Sequence, residues 1–221
     1  MALTVTLLGG ESSGKTTLAQ ALQPLLQAQR VSCSLVPEQL RIWCESHGRA
    51  PQAHEQTERT QAQSLAIASA AHNPATQVVL ADTTALVIAA YSELYFDDRS
   101  LWPSAIEQQR TYDLTLLMGL DLPWVPDGLF RDGPAVRAAT DTVLRRELQT
   151  AGIAFQTLYG PLELRVQQAL RAIGSALQRP LTAQDTAWEQ GRRPWNCEKC
   201  SDPDCEHRLF TQLLQQRSTK A

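Results

Sequence analysis

Gly9-Gly10-Glu11-Ser12-Ser13-Gly14-Lys15-Thr16 fits G-x4-G-K-[ST] at every fixed position. The run follows a short apolar stretch, Leu3 to Leu8, that reads as a buried strand. It opens a segment, Thr16 to Gln29, that predicts a helix. Strand, glycine turn and helix in that order are the context in which such a loop cradles phosphate. Glycines let the backbone curl so that successive N–H groups point at phosphate oxygens. The positive end of the following helix adds to the attraction. Gly10, Glu11, Ser12, Ser13, Gly14, Lys15, Thr16 and Thr17 are therefore assigned to nucleotide binding. Lys15 is expected at the β- and γ-phosphates and the Thr16 hydroxyl on Mg²⁺, with ATP as the nucleotide.

Outward from this loop, strand-like and helix-like segments alternate. Strands are expected at Val31 to Val36, Val78 to Ala81, Leu114 to Met118 and Ala154 to Leu158. Helices are expected at Gln39 to Ser46, His54 to His72, Thr84 to Tyr95, Pro103 to Arg110, Ala135 to Ala151 and Leu162 to Gln178. That alternation implies an α/β fold, a parallel sheet of about five strands covered on both faces. Residues 1–178 form the expected domain, 179–196 a polar linker with Pro180 and Pro194, and 197–221 a small cysteine-bearing tail.

The bulk properties narrow the function. The 221 residues are 43% hydrophobic with a formal net charge of −3, so no basic field for nucleic acid is present. No stretch approaches the roughly 18 uninterrupted apolar residues of a membrane helix. Met1-Ala2-Leu3-Thr4-Val5 lacks the basic start of a signal peptide. A cytoplasmic protein with a small-molecule substrate, and neither nucleic acid nor membrane as partner, is the expectation.

A phosphate loop alone implies a nucleoside triphosphate, not a reaction. Asp82 ends an apolar strand at the sheet edge where ligands gather, and is expected in the Mg²⁺ shell; the alternative is a helix cap. Glu38 ends the second strand, in reach of an attacking hydroxyl whose proton it would accept; the alternative is an acid complementing a helix dipole. Arg41, one turn on, is a candidate substrate contact or a partner of Glu38. The Pro-, Gly- and Asp-rich stretch from Asp121 to Pro134 reads as a closing loop, with Arg131 and Arg137 at its end to stabilise a transferred phosphoryl group. Trp43, Tyr91, Tyr95, Trp102 and Trp124 are candidates for stacking on a flat heterocycle, although core packing is the commoner role of aromatic rings. Trp124, between two prolines, has the least core-like setting.

These residues resemble one family in order and spacing: Gly9 to Thr16, Pro37-Glu38 with Arg41, Ala81-Asp82-Thr83-Thr84, and Asp121-Leu122-Pro123-Trp124 with Asp127-Gly128 and Arg131. It is the ribosylnicotinamide-kinase domain of NadR-type bacterial NAD-biosynthesis regulators and their free-standing relatives, and the resemblance spans Leu3 to Gly174. It implies a P-loop NTPase fold of the nucleoside- and nucleotide-kinase kind, a three-layer sandwich. It also implies transfer of the γ-phosphoryl of Mg-ATP to the 5′-hydroxyl of nicotinamide riboside, giving nicotinamide mononucleotide in NAD biosynthesis. Taken with the reading of the residues above, this makes Lys15, Glu38, Asp82, Arg131 and Arg137 the expected catalytic set. Glu38, Arg41, Asp82, Tyr91, Trp124 and Asp127 are the substrate set. The full regulators carry a DNA-binding module and an adenylyltransferase domain ahead of the kinase, and neither precedes Leu3, so repression and adenylyl transfer are not expected. Pro37 precedes Glu38, so no aromatic ring is offered from that position.

The tail lies outside the resemblance. Cys197, Cys200, Cys205 and His207 follow C-x2-C-x4-C-x-H, which reads as a structural Zn²⁺ site able to present a surface to a protein partner or a second copy. The single residue between Cys205 and His207 makes a shared metal tight, and the alternative is a tail of reduced thiols. Two other functions compete: a kinase for a different nucleoside, and an ATPase switch whose zinc tail docks a partner. The switch reading lacks a guanine-reading N/T-K-x-D motif.

Overall fold

The computed structural model describes residues 2–126 and 132–181. Five strands, β1 (Leu3–Leu8), β2 (Cys33–Val36), β3 (Val78–Asp82), β4 (Leu114–Met118) and β5 (Gln156–Leu158), make one parallel sheet in the order β2-β3-β1-β4-β5. The helices are α1 (Lys15–Ala28), α2 (Gln39–His47), α3 (Gln56–His72), α4 (Ala85–Phe96), α5 (Trp102–Gln109), α6 (Pro134–Thr150) and α7 (Leu162–Ala176), with a 3-10 turn at Ala53–Glu55. Each strand and helix read from the sequence up to residue 178 has a counterpart here, with ends shifted by a residue or two; the linker beyond Leu181 and the tail lie outside the described residues. The second strand starts later, at Cys33, because Arg30 takes a left-handed backbone (φ 59) and turns the chain after α1.

The central strands are buried along nearly their whole length because both faces are covered, the signature of a parallel sheet. On one side α1 and α7 close a core containing Val5, Leu7, Leu18, Leu22, Leu80, Leu116, Leu170 and Ile173. On the other, α4, α5 and α6 pack Leu8, Leu86, Trp102, Leu117, Leu144 and Leu148. Helix α4 runs through the middle of that layer and is apolar nearly all round, as a helix buried by its neighbours must be.

A buried polar relay crosses this layer. Thr84 caps α4 by accepting from the Leu86 N–H and donates to Gln109 Oε1 at 2.8 Å. Gln109 Nε2 then donates to the Thr6 and Thr115 hydroxyls, each at 2.9 Å. Each group has a partner, so the relay is tolerated in the core and pins α5 to β1 and β4.

A charged cluster ties α4 to α6. Glu93 accepts from Arg99 (2.7 Å), Arg146 (2.7 Å) and the Trp102 indole (2.7 Å), while Glu147 accepts from Arg99 and Arg146 at 2.8 Å. Burial on its own raises the Glu93 carboxyl; the Arg146 and Trp102 hydrogen bonds and the two guanidinium charges outweigh it and hold the group below the ordinary glutamate value. A lowered folded-state value means stability that is present above the unfolded value, about 4.3, and lost as pH falls through the folded one. The melting temperature of the wild type should therefore decline below about pH 4.3, and Glu93→Gln should show a shallower decline across the same window in a pH-dependent melting series.

No helix among the described residues is long and apolar enough to cross a membrane.

Candidate functional site

The phosphate loop leaves β1 with glycine for two distinct reasons. Gly14 adopts φ 87 at the start of α1, a left-handed conformation that L side chains rarely take. Gly10 instead lies against α6: a Cβ there would meet the Arg137 backbone at 3.0–3.1 Å. Inside the curl the Ser13 hydroxyl donates to Gly10 O at 2.7 Å. The Lys15 ammonium, 7% exposed, donates to Gly9 O (2.9 Å) and Gly10 O (3.0 Å). An ammonium has three donors, so the same group has capacity for an incoming phosphate oxygen.

Behind the loop, Thr16 donates its hydroxyl to Asp82 Oδ2 at 2.5 Å. Asp82 is 3% exposed, and its other oxygen, Oδ1, is buried with no hydrogen-bond partner. A buried carboxylate oxygen without a donor is costly in a protein interior. A hard oxygen pair of this kind, carboxylate and hydroxyl, suits Mg²⁺, which keeps most of its waters and takes few protein ligands. Thr84, not Asp82, is the helix cap, so the cap alternative for Asp82 falls away. Among the described residues no three His, Cys, Asp or Glu side chains gather as a metal site on their own.

The loop opens into a cleft of about 690 Å³. One wall is Glu11 to Thr17. The lining also includes Glu38, Leu40, Arg41 and Cys44 of the α2 region, Gly48 to Pro51, Gln56, Asp132, and Tyr91, Tyr95 and Phe96 near the end of α4. Glu38 stands at the N-cap position of α2 and its side chain makes no capping bond; its place at the helix start is compatible with the dipole role as well. Tyr91 and Tyr95 are neighbouring tilted rings, 6.1 Å between centroids, and the Tyr95 hydroxyl donates to Asp132. Arg41 lines the cleft and contacts Glu45 at 3.4 Å. Arg49, also in the lining, forms a bidentate pair with Glu55 (2.7 Å each), whose hydrogen bonds hold that carboxyl down at about 2. Cys44 lies in the same lining with its thiol pushed up, first by burial and then by the Glu38 charge, so it is no ready nucleophile.

The remaining sequence candidates are distributed differently. Trp124 turns its indole N–H to Glu11 Oε1 at 3.1 Å, making it a brace between the segment after β4 and the phosphate loop. Glu11 also accepts from the Asp132 and Gly133 backbone at 3.0 and 2.7 Å, and the Ser12 hydroxyl accepts from Val125 N at 2.8 Å. Arg137 is 8% exposed and packs behind the loop, donating to Leu122 O at 2.8 Å and Ser12 O at 3.4 Å. Trp43 stacks on His47 at 4.1 Å between centroids, and Trp102 is core. Asp127, Arg131, Cys197, Cys200, Cys205 and His207 lie outside the described residues.

Arg165 is the largest site residue that the sequence reading passed over. It is 1% exposed, and its guanidinium serves four acceptors: Gly160 O (2.8 Å), Ser13 O (2.7 Å), Gly119 O (3.2 Å) and Asp121 Oδ1 (2.6 Å). Burial works against its charge, and the Asp121 carboxylate offsets part of that. Asp121 Oδ2 in turn accepts from Gly160 N at 2.5 Å. One side chain thus ties the phosphate loop to the loops that follow β4 and β5. A signal did exist: Leu162, Arg165, Val166, Ala169, Leu170 and Ile173 share the apolar stripe of α7, and a charge on such a stripe must have buried partners.

The family model AAA_28, AAA domain, matches residues 4–165. A solved NadR protein in complex with NR aligns with a TM-score of 0.68 at 23% identity over 83% of this chain and 54% of that one. A NadR protein in complex with NAD and AMP-PNP aligns with a TM-score of 0.64 at 22% identity over 82% and 51%. Deoxyadenosine kinase from M. mycoides, with products dCMP and a flexible dCDP bound, gives 0.53 at 10% identity over 78% and 100%. This chain spans about half the length of the two NadR chains. No curated protein matches it in sequence. At these identities the structural likeness establishes the P-loop kinase-like fold.

Proposed function

Because this chain belongs to the AAA_28 family of AAA domains, with a fold like that of NadR, we propose that it is an ATP-dependent nucleoside kinase whose acceptor is nicotinamide riboside. The observation that carries the reading is the continuity of the cleft. Lys15, Thr16 and Thr17 line the same cleft as Glu38 and as the apolar and aromatic side chains Leu40, Tyr91, Tyr95 and Phe96. A triphosphate and a flat-ringed acceptor need that pairing of surfaces. The NadR protein solved with NR supports the choice of riboside, and the aromatic rings of Tyr91, Tyr95 and Phe96 in the lining suit a heterocycle.

In this mechanism the backbone curl and Lys15 hold the terminal phosphates, and the loop keeps them in one geometry. Thr16 and Asp82 would hold Mg²⁺, which would neutralise charge building on the phosphoryl oxygens. The acceptor 5′-hydroxyl oxygen forms a bond to the γ-phosphorus while the bond from that phosphorus to the β–γ bridging oxygen breaks. ADP leaves with that electron pair, and the hydroxyl proton passes to the Glu38 carboxylate. Arg131 supplies a guanidinium to the moving phosphoryl group. Arg137 steadies the phosphate loop through Ser12 O and acts one step removed from the reacting atoms. The reaction belongs in the cytoplasm, where ATP and Mg²⁺ are supplied.

A panel of nucleosides incubated with Mg-ATP, with product scored by mass, tests the reading. Nicotinamide riboside should give the mononucleotide with turnover on the order of 1–100 per second. Phosphorylation of another nucleoside in its place would move the acceptor assignment and leave the kinase standing. ADP release indifferent to any nucleoside would favour the ATPase switch.

A further inference from the structure

We propose that Gln63, on α3, sets the spacing of the two strand ends that carry Glu38 and Asp82, and is a positioning residue for phosphoryl transfer; the inference rests on the kinase reading above. Strands β2 and β3 pair in register as far as Val36 and Ala81. The next residue on β2 is Pro37, which has no N–H, so the ladder stops there. Beyond that point the two chains part, Glu38 leading into α2 and Asp82-Thr83 into α4. The fork leaves two carbonyls and one N–H without ladder partners; Thr83 is buried, while Pro37 is exposed and its carbonyl also accepts from Gln39 Nε2 at 3.2 Å, so Thr83 O is the group that most needs the Gln63 donor.

The Gln63 carboxamide fits that need. It is 0% exposed. Its oxygen accepts from Gln39 N at 2.8 Å, and its NH₂ donates to Pro37 O at 3.4 Å and Thr83 O at 3.3 Å. One acceptor and two donors meet one donor and two acceptors. Pro37 and Gln39 flank Glu38, and Thr83 follows Asp82, so a single amide holds the backbone beside both carboxylates. Thr83 has φ 87, which branched residues seldom adopt, and its N–H is held by Leu7 O at 3.2 Å. Strained backbone at such a place persists only where neighbours over-determine it, and Gln63 is one of those neighbours. Gln56, Thr60, Gln63, Ile67 and Ala71 form the buried stripe of α3, so a polar side chain on that stripe has been placed among fixed partners.

Two substitutions test the proposal. Gln63→Met keeps the length of the side chain and removes its hydrogen bonds. We expect kcat to fall between about tenfold and about a hundredfold, because small displacements of reacting groups cost rates of that size. The Kd for ATP, read by binding alone, should stay within about twofold, since the loss is confined to the transition state. Gln63→Glu adds a signature that a merely structural residue lacks. As a neutral acid it restores the acceptor and one donor; as a carboxylate it sets bare oxygens against Pro37 O and Thr83 O. The ratio of its kcat to that of the wild type should rise as pH is lowered from about 9 to about 6. This arm also decides the matter if Gln63→Met does not fold. Wild-type turnover with Gln63→Met turnover within about twofold, or a pH-independent ratio for Gln63→Glu, overturns the proposal alone. A wild type that phosphorylates no nucleoside removes the kinase reading and this proposal with it.

Discussion

Lys15→Ala should lower turnover about a thousandfold or more, the scale on which removal of a preorganised cation or donor acts in phosphoryl and acyl transfer. The ammonium sits inside the curl of residues 9–14, held by Gly9 O and Gly10 O, and is 7% exposed. It therefore meets the phosphates already oriented, in a site where little water screens it, and a charge so placed is worth far more than the same charge in solvent. The structural cost is smaller. Two carbonyls lose a donor, which amounts to about 1–3 kcal/mol and, for a chain of this size, a melting shift of a few degrees, about 2–4 °C per kcal/mol. Steady-state ADP release, nucleotide binding and a thermal melt on the same preparation separate the two effects. Turnover within about tenfold of wild type, with nucleotide affinity unchanged, would sink the assignment of this loop to triphosphate binding.

Arg165→Ala should do the reverse, with stability lost first. Removing one partner of a buried ion pair costs about 3–5 kcal/mol because the other charge is left uncompensated. Asp121 is 13% exposed at its side chain, which lets water relieve part of the penalty and points to the lower end of that range. Three backbone carbonyls, of Ser13, Gly119 and Gly160, lose a donor as well. A fall in melting temperature on the order of 10 °C follows from about 3 kcal/mol at this chain length. Arg165→Lys should recover little of it, since one compact ammonium cannot present a planar fork to four acceptors in different directions. Nucleotide affinity should weaken in both variants, because Ser13 in the phosphate loop is one of the four. The measurement is a calorimetric melt with and without Mg-ATP. A wild-type melting point for Arg165→Ala would show that the cluster does not hold the three loops together.

The two substitutions probe different ranges of the sequence. Lys15 belongs to a contiguous run of eight residues and bonds within it, to Gly9 O and Gly10 O, so the whole device is local. Arg165 acts over 152 positions of sequence to reach Ser13. Trp124 shows the same limit from the other side. Its place between two prolines marked it as unlike a core residue, and it is, yet its indole braces Glu11 rather than lining the cleft. Nothing in the run Pro123-Trp124-Val125-Pro126 encodes that direction. The aromatic wall was legible only as a set of candidates: Tyr91 and Tyr95 reach the cleft, Trp102 is core, and Trp43 packs on His47. Aromatic rings serve both purposes with the same chemistry, so only the packing of α2 against α3 and of α4 against its neighbours sorts them.

What the order of residues determined unaided was everything carried by short-range periodicity and fixed spacing. The alternation of apolar runs with amphipathic stretches specifies a covered parallel sheet, and Gly9 to Thr16 specifies a phosphate cradle, because helix period, strand burial and glycine curl are local properties. The tertiary structure alone decided which distant groups share a charge or a hydrogen bond: Glu11 with Gly133, Gln63 with Pro37 and Thr83, Arg165 with Asp121 and Ser13. Those pairings exist because a buried polar group must find a partner wherever the sheet edge brings one, and chain order places no constraint on which element that will be.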